Sequence, residues 1–315
     1  MTDVSIIIPT FNRAQFLGAA IDSALAQGEG VEVIVVDDGS TDGTAALLAG
    51  YGDRVRSLRQ SNQGASAARN LGAERANGEY LFFLDSDDLL EPDAIAALLK
   101  HAKALGPDRI PFGRAITVDG ANEAAVGPAY GFPHLAAPHN LTLADLLGGI
   151  MPLCLSLTPR KSFHSLGGLR TDLRLGEDHE FAVRVHLSGS VYVAVDVRVL
   201  RVRLHGDPRL SSTRDNVFGK RALQIWSTII ASVEGAEDFD GRAKRALARM
   251  IWIAGREAAR GGNKEAAEAL FGLAWSLDLH VDRSGRWPLR LLSWAAGPYR
   301  TERCAEHLRS LLGRI

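Results

Sequence analysis

The sequence predicts an α/β fold, a mostly parallel mixed sheet with flanking helices, followed by a C-terminal helical appendage, and three observations predict it. Short β-rich apolar runs alternate with helical patterns four times before residue 106, the order expected of a parallel sheet covered on both faces. Nearly every run ends in polar residues, and open α/β sheets bind ligands at the carboxyl ends of their strands. From Asn216 onward the pattern is helical throughout, with apolar residues three and four apart at Ala222-Ile225-Trp226-Ile229 and Ala246-Met250-Ile253, one face of an amphipathic helix. The expected division is therefore 1–214 for the sheet-bearing domain and 215–315 for the helices.

The first run, residues 4–8, is stopped by Pro9 and passes through Thr10-Phe11-Asn12-Arg13 into a helix over 14–26. The second, 31–36, ends in Asp37-Asp38-Gly39-Ser40, and Thr41-Asp42 opens the next helix. A weaker strand at 55–58 leads through Ser61-Asn62-Gln63-Gly64 into a small-residue helix, 65–76, which delivers the chain to the strand 80–84. That strand, Tyr80-Leu81-Phe82-Phe83-Leu84, is apolar throughout and stops in Asp85-Ser86-Asp87-Asp88. A helix over 92–105, capped by Asp88, and a strand within 109–118 follow. Residues 119–140, rich in Gly, Pro, Ala and His, read as a surface loop or lid. A helix at 142–148, an extended run at 153–158 and a turn at Gly167-Gly168 precede Gly176-Glu177-Asp178, which opens a helix to 187. Strands at 191–195 and 197–204 then end in His205-Gly206-Asp207.

Composition narrows the function classes. A chain of 315 residues, 46% hydrophobic, buries a large core. The net charge of −1 argues against a nucleic-acid partner, since phosphate-backbone binding needs a basic surplus. Residues 215–315 carry 16 Lys and Arg against 12 Asp and Glu, so the appendage is mildly basic. Cys154 and Cys304 form neither a disulfide framework nor a zinc spacing. The first residues lack the basic and apolar regions of a secretory signal, and no apolar run approaches the roughly 20 residues that span a bilayer. The expectation is a cytoplasmic protein, with room for a peripheral contact at the inner membrane face through the C-terminal helices. Trp287-Pro288-Leu289-Arg290-Leu291-Leu292-Ser293-Trp294 reads either as a basic amphipathic face or as aromatic packing.

Four strand ends carry candidate chemistry. Thr10 to Arg13 offers an aromatic and hydrogen-bonding groups to a base, or else a plain loop with Asn12 as helix cap. Asp37-Asp38 offers acceptors to a base or ribose, or else turn acids. Gly64 opens a helix carrying Arg69, a combination that favours anions. Three carboxylates at 85, 87 and 88 repel one another unless something positive sits among them, and Mg²⁺ or Mn²⁺ takes such oxygens together with phosphate oxygens and water. No G-x-G-x-x-G follows the first strand and no G-x-x-x-x-G-K-[ST] occurs, so metal and arginine would carry any phosphate charge.

Taken in order, Ile6-Ile7-Ile8-Pro9-Thr10-Phe11-Asn12-Arg13, Val35-Val36-Asp37-Asp38-Gly39-Ser40-Thr41-Asp42, Asn62-Gln63-Gly64 with Ala68-Arg69-Asn70, Phe83-Leu84-Asp85-Ser86-Asp87-Asp88 and Gly176-Glu177-Asp178 resemble the signature of family 2 glycosyltransferases of the GT-A fold. The resemblance covers the amino-terminal two-thirds of the chain. It implies a nucleotide-diphospho-sugar transferase that moves a sugar, with inversion, from a donor expected to be a UDP-sugar to a glycan, lipid-linked or other acceptor hydroxyl. By the same resemblance Pro9, Thr10, Phe11, Arg13 and Asp38 fall where the base and ribose bind, and Arg69 where the nucleotide is contacted. Asp85 and Asp87 match the D-x-D motif, with Asp87 as the direct ligand of Mn²⁺ or Mg²⁺. Asp178 matches the general base, with Glu177 beside it to orient the acceptor or tune Asp178; alone, the pair reads as first-turn helix acids. His205 resembles a late segment that closes over the diphosphate and supplies a metal or phosphate contact. That segment departs from the family at Asp207-Pro208-Arg209, ahead of Ser211-Ser212. Two other readings stand beside this one: a non-catalytic nucleotide-sugar or glycan-binding module, and a phosphatase of the haloacid dehalogenase type, whose nucleophile should lie on the first strand.

Overall fold

The computed structural model describes residues 2–120, 124–128, 132, 135–205, 217–281, 297–300 and 302–303. The chain divides into two compact units, one of Met1–Thr142, Ile150–Asp172 and Glu177–Asp207, the other of Leu143–Gly149, Leu173–Gly176 and Pro208–Ile315. The expected boundary at 214 falls among residues 206–216, outside the described ones, as do Gly206 to Ser212, Trp287 to Trp294 and Cys304. Two short inserts, 143–149 and 173–176, group with the C-terminal unit.

The first unit begins with β1 (Val4–Thr10), α1 (Ala14–Leu25), β2 (Val31–Asp37), α2 (Thr44–Tyr51), β3 (Arg56–Arg59), α3 (Ala65–Glu74) and β4 (Tyr80–Phe83). Three sheet-bearing repeats are therefore complete before the acidic cluster. After it come β5 (Leu89–Leu90), α4 (Ala94–Leu105), β6 (Arg109–Asp119), β7 (Ala125–Pro128) and β8 (His139–Asn140), then α5 (Leu143–Gly148) of the other unit. The first unit resumes with β9 (Thr158–Pro159), α6 (Arg160–Ser165), α7 (Glu177–Leu187) and β10 (Val191–Leu204).

One sheet runs β3-β2-β1-β4-β9, its first four strands parallel and β9 antiparallel to β4. The strand order reverses between β1 and β4, the switch point at which doubly wound sheets leave a crevice. β1 is buried along its whole length and runs through Pro9 to Thr10 rather than stopping at residue 8. The ladder tolerates the proline for a geometric reason. The Ile7 carbonyl faces β4, accepting from Leu84 N, so the nitrogen of residue 9 faces the same side, where β4 has already ended. A missing N–H there costs no ladder bond.

The second sheet runs β5-β10-β6-β7, with β8 also on β10. β10 pairs parallel with β6 and antiparallel with β5 and β8. Residues 191–204 form one strand rather than two: the charged stretch around Asp196 and Arg198 is absorbed as register shifts between Ala194 and Leu200, as β-bulges do. The expected loop at 119–140 contains β7 and β8, and its Phe132 is buried edge-on to Phe112.

Two helix starts differ from expectation. Asp88 does not cap α4; its Oδ1 accepts the N–H of Arg203 in β10. The cap comes instead from Gln27, just past α1, whose Oε1 accepts Ile95 N and whose Nε2 donates to Glu91 O. Asn12 does not cap α1: its side-chain oxygen accepts Thr41 N, while Asp42 accepts both Ala14 N at the start of α1 and Thr44 N at the start of α2.

In the second unit, α8 (Phe218–Val233), α9 (Gly241–Arg260) and α10 (Lys264–Leu277) follow α5. α8 buries Ala222, Ile225, Trp226 and Ile229, as the spacing predicts. α9 is rotated from expectation: Ala243, Leu247, Ile251, Ala254 and Ala258 face inward, whereas Ile253 is 50% exposed. Small residues make up most of that inner stripe beside Leu247 and Ile251, and a Cβ at Gly255 would lie 2.8 Å from the Phe271 ring of α10, so α9 carries no side chain where that ring packs. Asp240 and Asn263 cap α9 and α10 through their side-chain oxygens. Among the described residues no helix is long and apolar enough to cross a membrane.

Candidate functional site

The carboxyl ends of β1 and β4, at the switch point, deliver two loops side by side. After β1, Thr10 is buried with its hydroxyl lacking a hydrogen-bond partner among the described residues, Phe11 is 44% exposed, and Arg13 is half-buried at the start of α1. Pro9 is buried within the strand. Asn12 takes a left-handed φ of 51° and donates its N–H to Ser40 Oγ, which ties this loop to the one after β2.

Asp38, buried just past β2, spends its carboxylate on the protein. It accepts Gln60 Nε2 at 2.7 Å and the backbone N–H groups of Gln63 and Gly64 at 2.8 Å each. Gly64 has φ +97°, a conformation open to glycine at little cost, and there α3 begins. Asp38 thus sets the approach of α3, and α3 carries Arg69.

Arg69 is the junction of the site. Its Nη2 donates to Asp85 Oδ1 at 2.7 Å and its Nη1 to Glu177 Oε1 at 2.9 Å. One guanidinium therefore joins the end of β4 to the start of α7. Burial opposes its charge, but Asp85 and Glu177 outweigh that and hold its pKa above the ordinary arginine value. Its neighbour Asn70 exchanges two hydrogen bonds with the backbone of Leu169. α7 is seated on the same turn by Arg184, which grips Glu180 with two nitrogens and donates to the carbonyls of Leu166 and Gly168.

Asp178 follows Glu177 in the first turn of α7, its Oδ1 accepting His179 N at 2.8 Å. Burial pushes its pKa up to about 7, the Glu177 carboxylate adds to the rise, and Arg69 offsets part of it. A carboxylate so placed is a better proton acceptor near neutral pH than an ordinary aspartate.

The three acids after β4 part ways. Asp85 goes to Arg69, and Asp88 to the backbone of Arg203. Asp87 Oδ2 lies 2.9 Å from His205 Nε2, at the end of β10. Among the described residues no three His, Cys, Asp or Glu side chains group as a metal cage. Asp87 and His205 nonetheless present one hard oxygen and one imidazole nitrogen at a common point, which fits a divalent cation that completes its shell with diphosphate oxygens and water. Asp85, expected to share in this, pairs with Arg69 through Oδ1. Cys154 is a free cysteine, and burial, followed by Asp85, raises its thiol well above the ordinary value, which disfavours the thiolate. Asp85 follows the fourth strand of the core, so the phosphatase reading finds no support.

Two site residues escaped sequence reasoning, Phe16 and Arg203. The Phe16 ring stacks on His205 at 4.5 Å, and the Arg203 guanidinium lies 5.5 Å from the same ring. The alternation of Arg203 and His205 along a strand, which places both on one face, is the signal that points to them.

Comparison with known proteins accords with this geometry. Residues 5–151 match glycosyl transferase family 2. An uncharacterised glycosyltransferase of Rickettsia typhi is 30% identical over 236 residues, 74% of this chain and 73% of that protein. Another, from Rickettsia felis, is 30% identical over 234 residues, 72% of this chain. Here the chain spans only 38% of its relative's length. Among solved structures, residues 1–349 of S. aureus TarS in complex with UDP-GlcNAc superpose with a TM-score of 0.70 at 19% identity, covering 98% of this chain and 92% of that one. That likeness shows a shared fold.

Proposed function

The chain belongs to glycosyl transferase family 2, and from that premise we propose that it moves a sugar from a nucleoside diphosphate sugar to an acceptor hydroxyl with inversion, using Asp178 as general base. The observation that carries this reading is the Arg69 bridge, which fixes the strand end bearing the D-x-D acids against the helix turn bearing Glu177 and Asp178. Asp178 takes the proton of the acceptor hydroxyl. The acceptor oxygen forms its bond to the anomeric carbon as the bond from that carbon to the diphosphate oxygen breaks, and the electron pair leaves with the diphosphate. A divalent cation, Mn²⁺ or Mg²⁺, held by Asp87 and His205 would neutralise the departing charge, so that no acid need protonate the leaving group.

The remaining residues bind and orient. Exposed Phe11 offers a face to the base, and the Thr10 hydroxyl and Arg13 lie beside it. Asp38 acts by holding Gln63 and Gly64 in place. Glu177 holds Arg69 and keeps Asp178 basic. TarS binds UDP-GlcNAc, which supports a UDP-sugar as donor. The acceptor is a glycan, a lipid-linked sugar or another hydroxyl compound. A peripheral contact with an anionic membrane surface is supported by α9, which exposes Arg242, Lys244, Arg245 and Arg249.

The test is release of UDP from a panel of UDP-sugars with Mn²⁺, with and without chelator. Wild-type protein turns over only with metal. Asp178→Asn keeps UDP affinity within about twofold while transfer falls on the order of 10²–10⁴-fold, the usual contribution of general-base catalysis. Equal loss of binding and transfer would make Asp178 a structural acid, and turnover undiminished by chelator would remove the metal.

A further inference from the structure

Building on the proposed metal role of Asp87 and His205, we infer that Phe16 and Arg203 form a positioning bracket that holds these two donors at one point. β10 places Arg203 and His205 on the same face, two residues apart, and both meet a single side chain, Phe16 in the first turn of α1. The His205 ring lies 27° from parallel to the Phe16 ring. Its Nδ1 is buried and lacks a hydrogen-bond partner among the described residues. Metal-binding histidines are commonly oriented by a hydrogen bond at the second nitrogen. Here no described residue bonds that nitrogen, and the stack takes its place.

Arg203 fixes the other side of the bracket. Its Nε donates to the Asp87 carbonyl at 2.6 Å, its Nη2 donates to the Phe16 carbonyl at 3.0 Å, and its own N–H donates to Asp88 Oδ1 at 3.1 Å. One buried side chain thus ties the backbone that bears Asp87 to the helix turn that bears Phe16, while its strand carries His205. The combination fixes the distance and ring angle between two particular side chains.

The test is calorimetric titration of Mn²⁺ into the full chain saturated with UDP, alongside UDP titration without metal and thermal melting without ligand. Phe16→Leu removes the stack while keeping an apolar side chain of similar reach. The expected result is a Mn²⁺ affinity weakened on the order of 10-fold or more, the usual effect of losing an orienting partner, with UDP affinity and melting temperature little changed. Phe16→Tyr keeps the ring and restores Mn²⁺ affinity to within about twofold of wild type. Arg203→Met weakens Mn²⁺ binding in the same direction and serves as a second probe if it folds. Mn²⁺ affinity lost in Asp87→Asn but unchanged in Phe16→Leu overturns the bracket alone. Affinity unchanged in both overturns the metal reading and the bracket with it. A Phe16→Leu loss that Phe16→Tyr fails to restore also overturns the bracket.

Discussion

Asp178 and the three acids after β4 show how charge is managed residue by residue. Adjacent carboxylates demand positive partners, and sequence reasoning gives that task to a metal alone. The protein supplies part of it: Arg69 takes Asp85, His205 faces Asp87, and a backbone N–H serves Asp88. Among the described residues no cation contacts Asp178 directly; burial and Glu177 raise its pKa, and Arg69 only moderates the rise. A folded-state pKa above the unfolded value of about 3.9 means that the native state binds the extra proton between roughly pH 4 and 7. Stability from this group is fully present below that window and is lost as pH rises through it. Asp178→Asn removes the titration, so it should melt with wild type near pH 4 and be more stable at pH 8, by about 4 kcal/mol. Melting curves at the two pH values check this, and an equal difference at both would show that the proton is not the cause. With Asp178 as the proposed general base, the same shift should put the acidic limb of kcat/KM, which reports the free enzyme, near pH 7 rather than near pH 4.

At the scale of elements, the close seating of α3 on the sheet decides where Arg69 points. Gly72 is buried, and a Cβ there would lie 2.4 Å from Ile7 Cγ2 and 3.3 Å from Val36 Cγ2. Both neighbours are fully buried strand side chains with no room to yield. Gly72→Ala should therefore destabilise by about 1–3 kcal/mol through overpacking, against the usual gain in helix propensity. Combined with Ile7→Ala, which removes the clashing methyl, the loss should be smaller than the sum of the two single losses, as for residues in contact. Additive losses in denaturant melts would show that the helix shifts instead. The strand-end loops are legible in the sequence because their chemistry is local: Thr10 to Arg13, Asp37-Asp38 and Asp85 to Asp88 each follow an apolar run directly. The partners that seat those loops are distant in sequence, and so no local pattern marks them. Gln27 caps α4 from 68 positions away, and Arg203 reaches Asp87 across 116. The face of α9 is not legible from apolar size, because alanines share its buried stripe with Leu247 and Ile251 while Ile253 is half exposed.

At the scale of the molecule, every side chain assigned to the donor and base belongs to the first unit, from Thr10 through Asp85 and Asp178 to His205. A ligand that binds only the folded state stabilises by RT ln(1 + [L]/Kd), about 2.7 kcal/mol at a hundred times Kd. That increment must appear in the exchange of amides whose opening exposes the site. UDP with Mn²⁺ should therefore slow hydrogen exchange in β1, β4 and the first turns of α3 and α7 by up to about 100-fold. α8, α9 and α10, in the other unit, serve as the internal reference within the same sample. Mn²⁺ alone should give a smaller effect, because Asp87 and His205 offer two donors and leave most of the shell to the diphosphate and water. Protection in α8–α10 equal to that in β4, or none in β4, would move the nucleotide away from the switch point between β1 and β4.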